Sequence, residues 1–245
     1  MNPDFEDSNR VDPNFEPEPA AHGASRHQIV RKGKLILYNR PENPILDESI
    51  VTVKRYNCFG AGLFPDRNAD LQFTTGITSV HKGDGKTLVS SNLAAFFALD
   101  TQDDTVLIDL NFHQPRLHQV FGIAPSPGVM ESLHSDTITL SRSAIKGLWI
   151  LPLGASRNGS FSFDKVLELR EILATLKRQF RFVVIDLPST SEPDFPAMVG
   201  SHLDGYFLVI SAGNTKKTEV SRALHILNEN KVIGLVMNRT HLTEF

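Results

Sequence analysis

Residues 79–98 read "SVHKGDGKTLVSSNLAAFFA", two glycines and a Gly-Lys-Thr triplet running into a long apolar stretch. The apolar run "GITSV" (76–80) precedes them, so a turn rich in glycine joins a candidate strand to a candidate helix over 86–99. That context suits a phosphate-binding loop. Gly83 and Gly85 remove side chains where backbone N–H groups must turn toward phosphate oxygens, and the helix starting near Lys86 aims its positive dipole end at the same place. In the pattern G-x-x-x-x-G-K-[ST], Lys86 reaches the β- and γ-phosphates and the Thr87 hydroxyl binds Mg²⁺. Val80 stands where the pattern has its first glycine, with His81 and Lys82 after it. Lys82, Gly83, Asp84, Gly85, Lys86, Thr87 and Leu88 are the expected nucleotide contacts. The alternative is a glycine-rich turn holding a chance Gly-Lys-Thr.

Around this loop the chain alternates short apolar runs with longer amphipathic stretches. The runs are 76–80, "TVLIDL" (105–110), "LWILPLG" (148–154), "FVVIDLP" (182–188), "YFLVISA" (206–212) and "VIGLVMN" (232–238). They are rich in Val, Ile and Leu and nearly continuous, as strands covered on both faces must be. Helical candidates at 86–99, 163–180 and 216–230 lie between them. The expected fold is α/β: a three-layer, doubly wound, mainly parallel sheet of the P-loop NTPase type.

Ligands of such sheets bind beyond the carboxyl ends of the strands. "VLID" ends in Asp109 and "FVVID" in Asp186, two carboxylates at strand tips that a Mg²⁺ and its phosphates would offset in charge. Either aspartate alone is equally explained as the cap of a following turn.

The remaining sequence bounds the function. The chain has 245 residues, 40% of them hydrophobic and 22% charged, enough for one sizeable domain. Its net charge of −3 argues against a chain built to coat nucleic acid, and no direct nucleic-acid contact is expected. Cys58 is alone, so neither an internal disulfide nor a cysteine-based zinc site is available. No apolar run approaches the roughly 18 residues that cross a bilayer, and the N-terminus lacks a signal-peptide pattern, so a cytoplasmic location is expected. Residues 1–26 mix Asp, Glu, Pro and Asn with few apolar side chains and are expected to be a disordered acidic tail. Residues 27–45 form a linker, strand or docking segment, and 46–245 the nucleotide-binding domain, opening with a helix over about 46–57.

The ordered set of motifs resembles a known family. The loop with "NLA" (92–94), "VLIDLNFHQPRLHQVFGI" (106–123), "LPLGA" (151–155), "RFVVIDLPS" (181–189) and "GLVMNR" (234–239) follow the cytoplasmic ATPase domain of bacterial protein-tyrosine kinases, relatives of the partitioning and Min-type ATPases. The resemblance covers about residues 44–240. It implies ATP and Mg²⁺ as cofactors, with Thr87, Asp109 and Asp186 serving the metal. It also implies Lys86, Asp109 and Asp186 as catalytic groups, Asp109 being the base toward a tyrosine hydroxyl, and Asn238 as the residue that reads adenine. Glu48, Val51 and Lys54 fall where the family has its subunit-contact helix, which implies a homo-oligomer. The implied partner is a membrane polysaccharide co-polymerase or export complex, holding the protein at the inner face of the plasma membrane.

Three departures bear on activity. Asn111 replaces the family's second aspartate and carries no charge, which weakens any function resting on that carboxylate. His81 and Lys82 alter the loop, His81 standing where the partitioning ATPases carry a second lysine. Tyr38, Tyr56 and Tyr206 are the only tyrosines and form no cluster near residue 245, so autophosphorylation on a C-terminal tail is not expected. The chain is therefore read as an ATP-hydrolysing or phosphotransferase domain of capsule and exopolysaccharide assembly, with reduced catalysis and a regulatory role. The alternatives are a Min-type ATPase that positions cargo on membrane or DNA, and a catalytically dead nucleotide- or partner-binding relic.

Overall fold

In the computed structural model the described residues are 36–38, 72–155, 163–193 and 195–239. The expected helix at 46–57, the tail at 1–26 and the contact positions Glu48, Val51 and Lys54 lie outside them.

The apolar runs become strands. β1 (Ile36–Tyr38), β2 (Phe73–Ser79), β3 (Thr105–Asp109), β4 (Thr139–Arg142), β5 (Leu148–Leu151), β6 (Phe182–Asp186), β7 (Gly205–Ser211) and β8 (Val232–Asn238) form one sheet in the order β1-β4-β5-β3-β6-β2-β7-β8. The β4–β5 pair is antiparallel and every other pair is parallel. The parallel connections need crossovers, supplied chiefly by helices α1 (Lys86–Thr101), α4 (Phe163–Gln179) and α5 (Lys217–Leu227). Short helices α2 (Leu117–Phe121) and α3 (Val129–Leu133) follow β3.

Alternation along the strands divides the core into two layers. On β3, Val106 and Ile108 face one cluster with Leu169, Ile172 and Leu176 of α4 and Ala223 and Leu227 of α5. Leu107, between them, faces the other cluster with Val89, Leu93, Phe96 and Phe97 of α1. Both neighbours in sequence are buried, which is why these strands read as continuous apolar runs. Helix α1 is buried along almost its whole length from Val89 to Ala98, and Phe97 stacks on Phe182 of β6 with ring centroids 4.4 Å apart. Helix α1 is thereby packed against the sheet from Val89 to Ala98.

The three-layer architecture agrees with the reading from sequence, with shifts at the margins. The run 148–154 stops being strand at Leu151, before Pro152, whose ring removes a ladder donor. The candidate helix 216–230 ends at Leu227, where Asn228 takes a positive φ of 58°. Strand β4, "TLSR", was not anticipated. Tyr206 is 1% exposed within β7, and burial pushes its hydroxyl up to about 12.

Candidate functional site

The central strands β2, β3 and β6 end side by side, and their tips carry the polar groups. β2 runs into the loop 80–85, which feeds the first turn of α1. Gly83 has φ +89° and Gly85 has φ +98°, backbone geometry that side chains with a Cβ resist. The two glycines differ in surroundings. A Cβ on Gly83 would meet nothing within 4 Å, whereas one on Gly85 would collide with the Asn238 side-chain amide.

The loop is held from several sides. Asp84 is buried, and its carboxylate accepts the His81 N–H at 2.8 Å, closing the turn internally. The Ser79 hydroxyl donates to the His81 carbonyl at 2.7 Å. From β8, the Asn238 amide donates to the Asp84 carbonyl at 2.8 Å, and the Arg239 guanidinium donates to the Gly83 carbonyl at 2.7 Å. With its carbonyls tied back, the loop leaves the amides of the first turn of α1 without a carbonyl one turn earlier. Those amides, at the positive end of a 16-residue helix, make an anion site.

Lys86 is only 6% exposed, and its charge acts on two buried carboxylates, Asp109 and Asp186. These aspartates are register partners at the ends of β3 and β6, both with no exposed surface. The Thr87 hydroxyl donates to Asp186 Oδ2 at 2.7 Å. Asp186 Oδ1 is buried and has no hydrogen-bond partner. Asp109 is differently placed: its Oδ1 accepts the Asn111 N–H at 3.0 Å, and its Oδ2 accepts the N–H groups of Arg116 and Leu117 at 3.0 and 3.1 Å. It therefore caps α2 as well as lying beside Asp186, and Oδ1 keeps a lone pair for another donor. Asn111 is 3% exposed and its Oδ1 is unpartnered.

Burial, followed by the neighbouring Asp109 charge, pushes Asp186 up to about 8; burial likewise raises Asp109 to about 6, against the pull of its three backbone amides. Lys86 offsets one of the two carboxylate charges, and the other is relieved by a shared proton or by a further cation. An unpartnered carboxylate oxygen, a threonine hydroxyl and excess buried negative charge are the donor set a hard divalent cation takes, so these residues fit Mg²⁺.

Of the residues singled out from sequence, the structure brings together Gly83, Asp84, Gly85, Lys86, Thr87, Asp109, Asp186 and Asn238 around one strand-end site. Lys82 is exposed on the loop, and Leu88 turns its side chain outward at 57% exposure. Asn238 contacts the loop backbone rather than standing apart from it. Arg239 was missed: it is adjacent to Asn238 in sequence, but its partner Gly83 is 156 residues away and no local pattern marks the pair. His81, a departure from the family within the loop, pairs through Nε2 with Glu219 of α5 at 3.3 Å.

The fold, with this loop at the switch between β2 and α1, is that of a P-loop NTPase, and solved structures agree. The VpsO kinase domain superposes with a TM-score of 0.65 at 27% identity, covering 78% of this chain and 95% of that one. The septum site-determining protein MinD from Pyrococcus horikoshii, solved with Mg-ADP, superposes with a TM-score of 0.56 at 19% identity, covering 71% of this chain and 73% of that one. In sequence, the chain is similar to bacterial tyrosine-protein kinases and polysaccharide-system proteins. Tyrosine-protein kinase YwqD of Bacillus subtilis is 27% identical over 173 residues, 69% of this chain and 73% of that protein. The succinoglycan biosynthesis transport protein ExoP of Rhizobium meliloti is 26% identical over 176 residues, 69% of this chain but only 22% of ExoP. No family model matches the chain. No helix among the described residues is long and apolar enough to cross a membrane.

Proposed function

We propose that this chain binds ATP with Mg²⁺ and works as a tyrosine-kinase-type phosphotransferase or nucleotide-gated regulator in capsule or exopolysaccharide assembly. The observation that carries it is the contact between Thr87 and Asp186, 99 residues apart, beside a second buried aspartate and beneath a loop of positive-φ glycines. Lys86 and the first-turn amides of α1 hold the triphosphate. Thr87 and Asp186 would hold the cation directly, with the Asp109 charge beside them favouring it, and the cation would supply charge neutralisation at the phosphates. Asp109, with its free lone pair on Oδ1, receives the proton of an attacking hydroxyl, and its contacts to α2 orient it. Asn111 adds a neutral acceptor where a carboxylate would add charge, so turnover is slow. Asn238 fixes the loop beside the expected adenine position.

The similarity to ExoP, a succinoglycan biosynthesis transport protein, supports a place in a polysaccharide system; within it we propose a co-polymerase or export complex as the partner and a homo-oligomer at the inner face of the membrane. The test is incubation of the full chain with Mg²⁺ and γ-labelled ATP, with and without the co-polymerase's cytoplasmic segment. The expected result is retained nucleotide with label on protein tyrosine. Phosphate release without tyrosine label would replace the kinase reading with that of an ATPase.

A further inference from the structure

A second cavity lies behind the phosphate loop, on the side of α5. It has a volume of about 220 Å³ and is lined by Val80 and His81 of the loop, Thr190 and Ser191 after β6, and Glu219, Arg222, Ala223 and Ile226 of α5. Its floor is apolar, with Val80 3% and Ala223 1% exposed, and Ile226 forms an apolar lip. Its surroundings are basic through lysine and arginine: Arg222 lines it, Lys82 is exposed beside it on the loop, and Lys216, just before α5, stands three residues ahead of Glu219. Glu219 is the one carboxylate among the lining residues, and it is paired with His81 and the Lys216 N–H. Such a cleft takes an apolar side chain flanked by carboxylates.

The chain carries that ligand twice in its own N-terminal sequence. Pro3-Asp4-Phe5-Glu6 and Pro13-Asn14-Phe15-Glu16 repeat a Pro-x-Phe-Glu pattern ten residues apart. Between Met1 and Pro19 there are six carboxylates, from Asp4, Glu6, Asp7, Asp12, Glu16 and Glu18, against one basic side chain, Arg10. We infer that this acidic N-terminal segment docks on its own domain, a phenylalanine entering the cavity between Val80 and Ala223 and its neighbouring carboxylates meeting Arg222 and Lys82.

Reach is sufficient. The segment joins the sheet at Ile36 of β1, the edge opposite α5, and seven strand spacings of about 4.8 Å make a width of about 34 Å. About 21 residues separate Phe15 from Ile36 and about 31 separate Phe5 from it, stretches that extend to roughly 70 and 100 Å, both well beyond that width. Tethering raises the effective concentration of the segment at its own domain, so a weak contact suffices. The docked carboxylates would stand beside the field that favours phosphate, because His81 lines the cleft and Lys82 is exposed next to it on the same phosphate loop. Docking therefore opposes nucleotide binding. That consequence rests on the nucleotide reading above, whereas the docking itself does not.

The experiment uses the full chain with a benzoylphenylalanine photo-cross-linker in place of Phe15, and in a second protein in place of Phe5, with adducts mapped by mass spectrometry. The expected adducts fall within residues 80–81, 190–191 and 219–226 of the same chain, and Arg222→Glu lowers their yield at least about fivefold without changing the thermal midpoint. Replacing the six carboxylates with their amides raises ATP affinity about three- to tenfold. Adducts elsewhere, or adducts insensitive to Arg222→Glu, overturn the inference. Adducts at the cleft of a second copy, seen as cross-linked dimers, overturn the intramolecular form and assign the cleft to a neighbouring chain's tail. Cleft adducts with unchanged ATP affinity overturn the antagonism while retaining the docking.

Discussion

Gly85→Ala tests how the loop is held, because its cost is the sum of two separable effects. The backbone at Gly85 has φ +98°, and an L-residue there costs about 1–2 kcal/mol in strain. The new Cβ would also collide with the Asn238 amide, which must swing away and release the Asp84 carbonyl, at about 1 kcal/mol for a lost hydrogen bond. The total is about 2–3 kcal/mol. Gly83 is the internal control: its φ of +89° carries the same strain, yet nothing lies within 4 Å of its Cβ position, so Gly83→Ala should cost only about 1–2 kcal/mol. The assay is urea unfolding of each variant, completed by Asn238→Ala and the Gly85→Ala/Asn238→Ala double variant. Once the hydrogen bond is already broken, Asn238→Ala costs little more, so the double variant should be more stable than the sum of the singles implies by about 1 kcal/mol. Equal costs at Gly83 and Gly85, or additivity within about 0.3–0.5 kcal/mol, would refute the reasoning.

Two further predictions concern the sheet. The raised Asp109 and Asp186 keep a proton in the folded protein that the unfolded chain releases above its ordinary carboxylate range, so this pair's contribution to stability falls as pH rises through about 6 and 8. Without nucleotide or cation, the melting temperature should be lower at pH 8.5 than at pH 6, the slope being at most about 1.4 kcal/mol per proton per pH unit. Asp186→Asn should flatten that dependence, and a melting temperature that climbs over the same interval would contradict the pair's placement. Phe97→Ala removes a fully buried ring stacked on Phe182 and should cost about 3–5 kcal/mol in urea unfolding; a loss under 1 kcal/mol would mean that α1 is not anchored there.

The central strands were legible because burial on both faces leaves a simple trace. Each of "TVLID", "FVVID" and "YFLVIS" is nearly unbroken in apolar, mostly β-branched or aromatic residues, and a layer of helices lies on either side. β4 had no such trace. It lies toward the sheet's edge, pairs antiparallel with β5, and consists of Thr139, Leu140, Ser141 and Arg142, a composition shared by many loops. The site divides in the same way. Gly83, Gly85, Lys86 and Thr87 are contiguous, and strand-end placement pointed to Asp109 and Asp186. The ties of Asn238 and Arg239 to Asp84 and Gly83 span more than 150 residues, and only the pairing of β7 with β8 brings them near the loop. The double use of Asp109, beside Asp186 and capping α2, likewise follows from three backbone amides that no spacing rule announces.

Nucleotide binding depends most on the loop, Lys86 and the Asp109–Asp186 pair acting together on a triphosphate. Isothermal titration of the full chain with ATP and Mg²⁺ near neutral pH, alongside Lys86→Ala, measures this directly. The expected result is saturable one-site binding that weakens about 10- to 100-fold in the variant, the worth of one charge-assisted contact. Absence of binding to the unaltered chain, or equal affinity in both proteins, would contradict it.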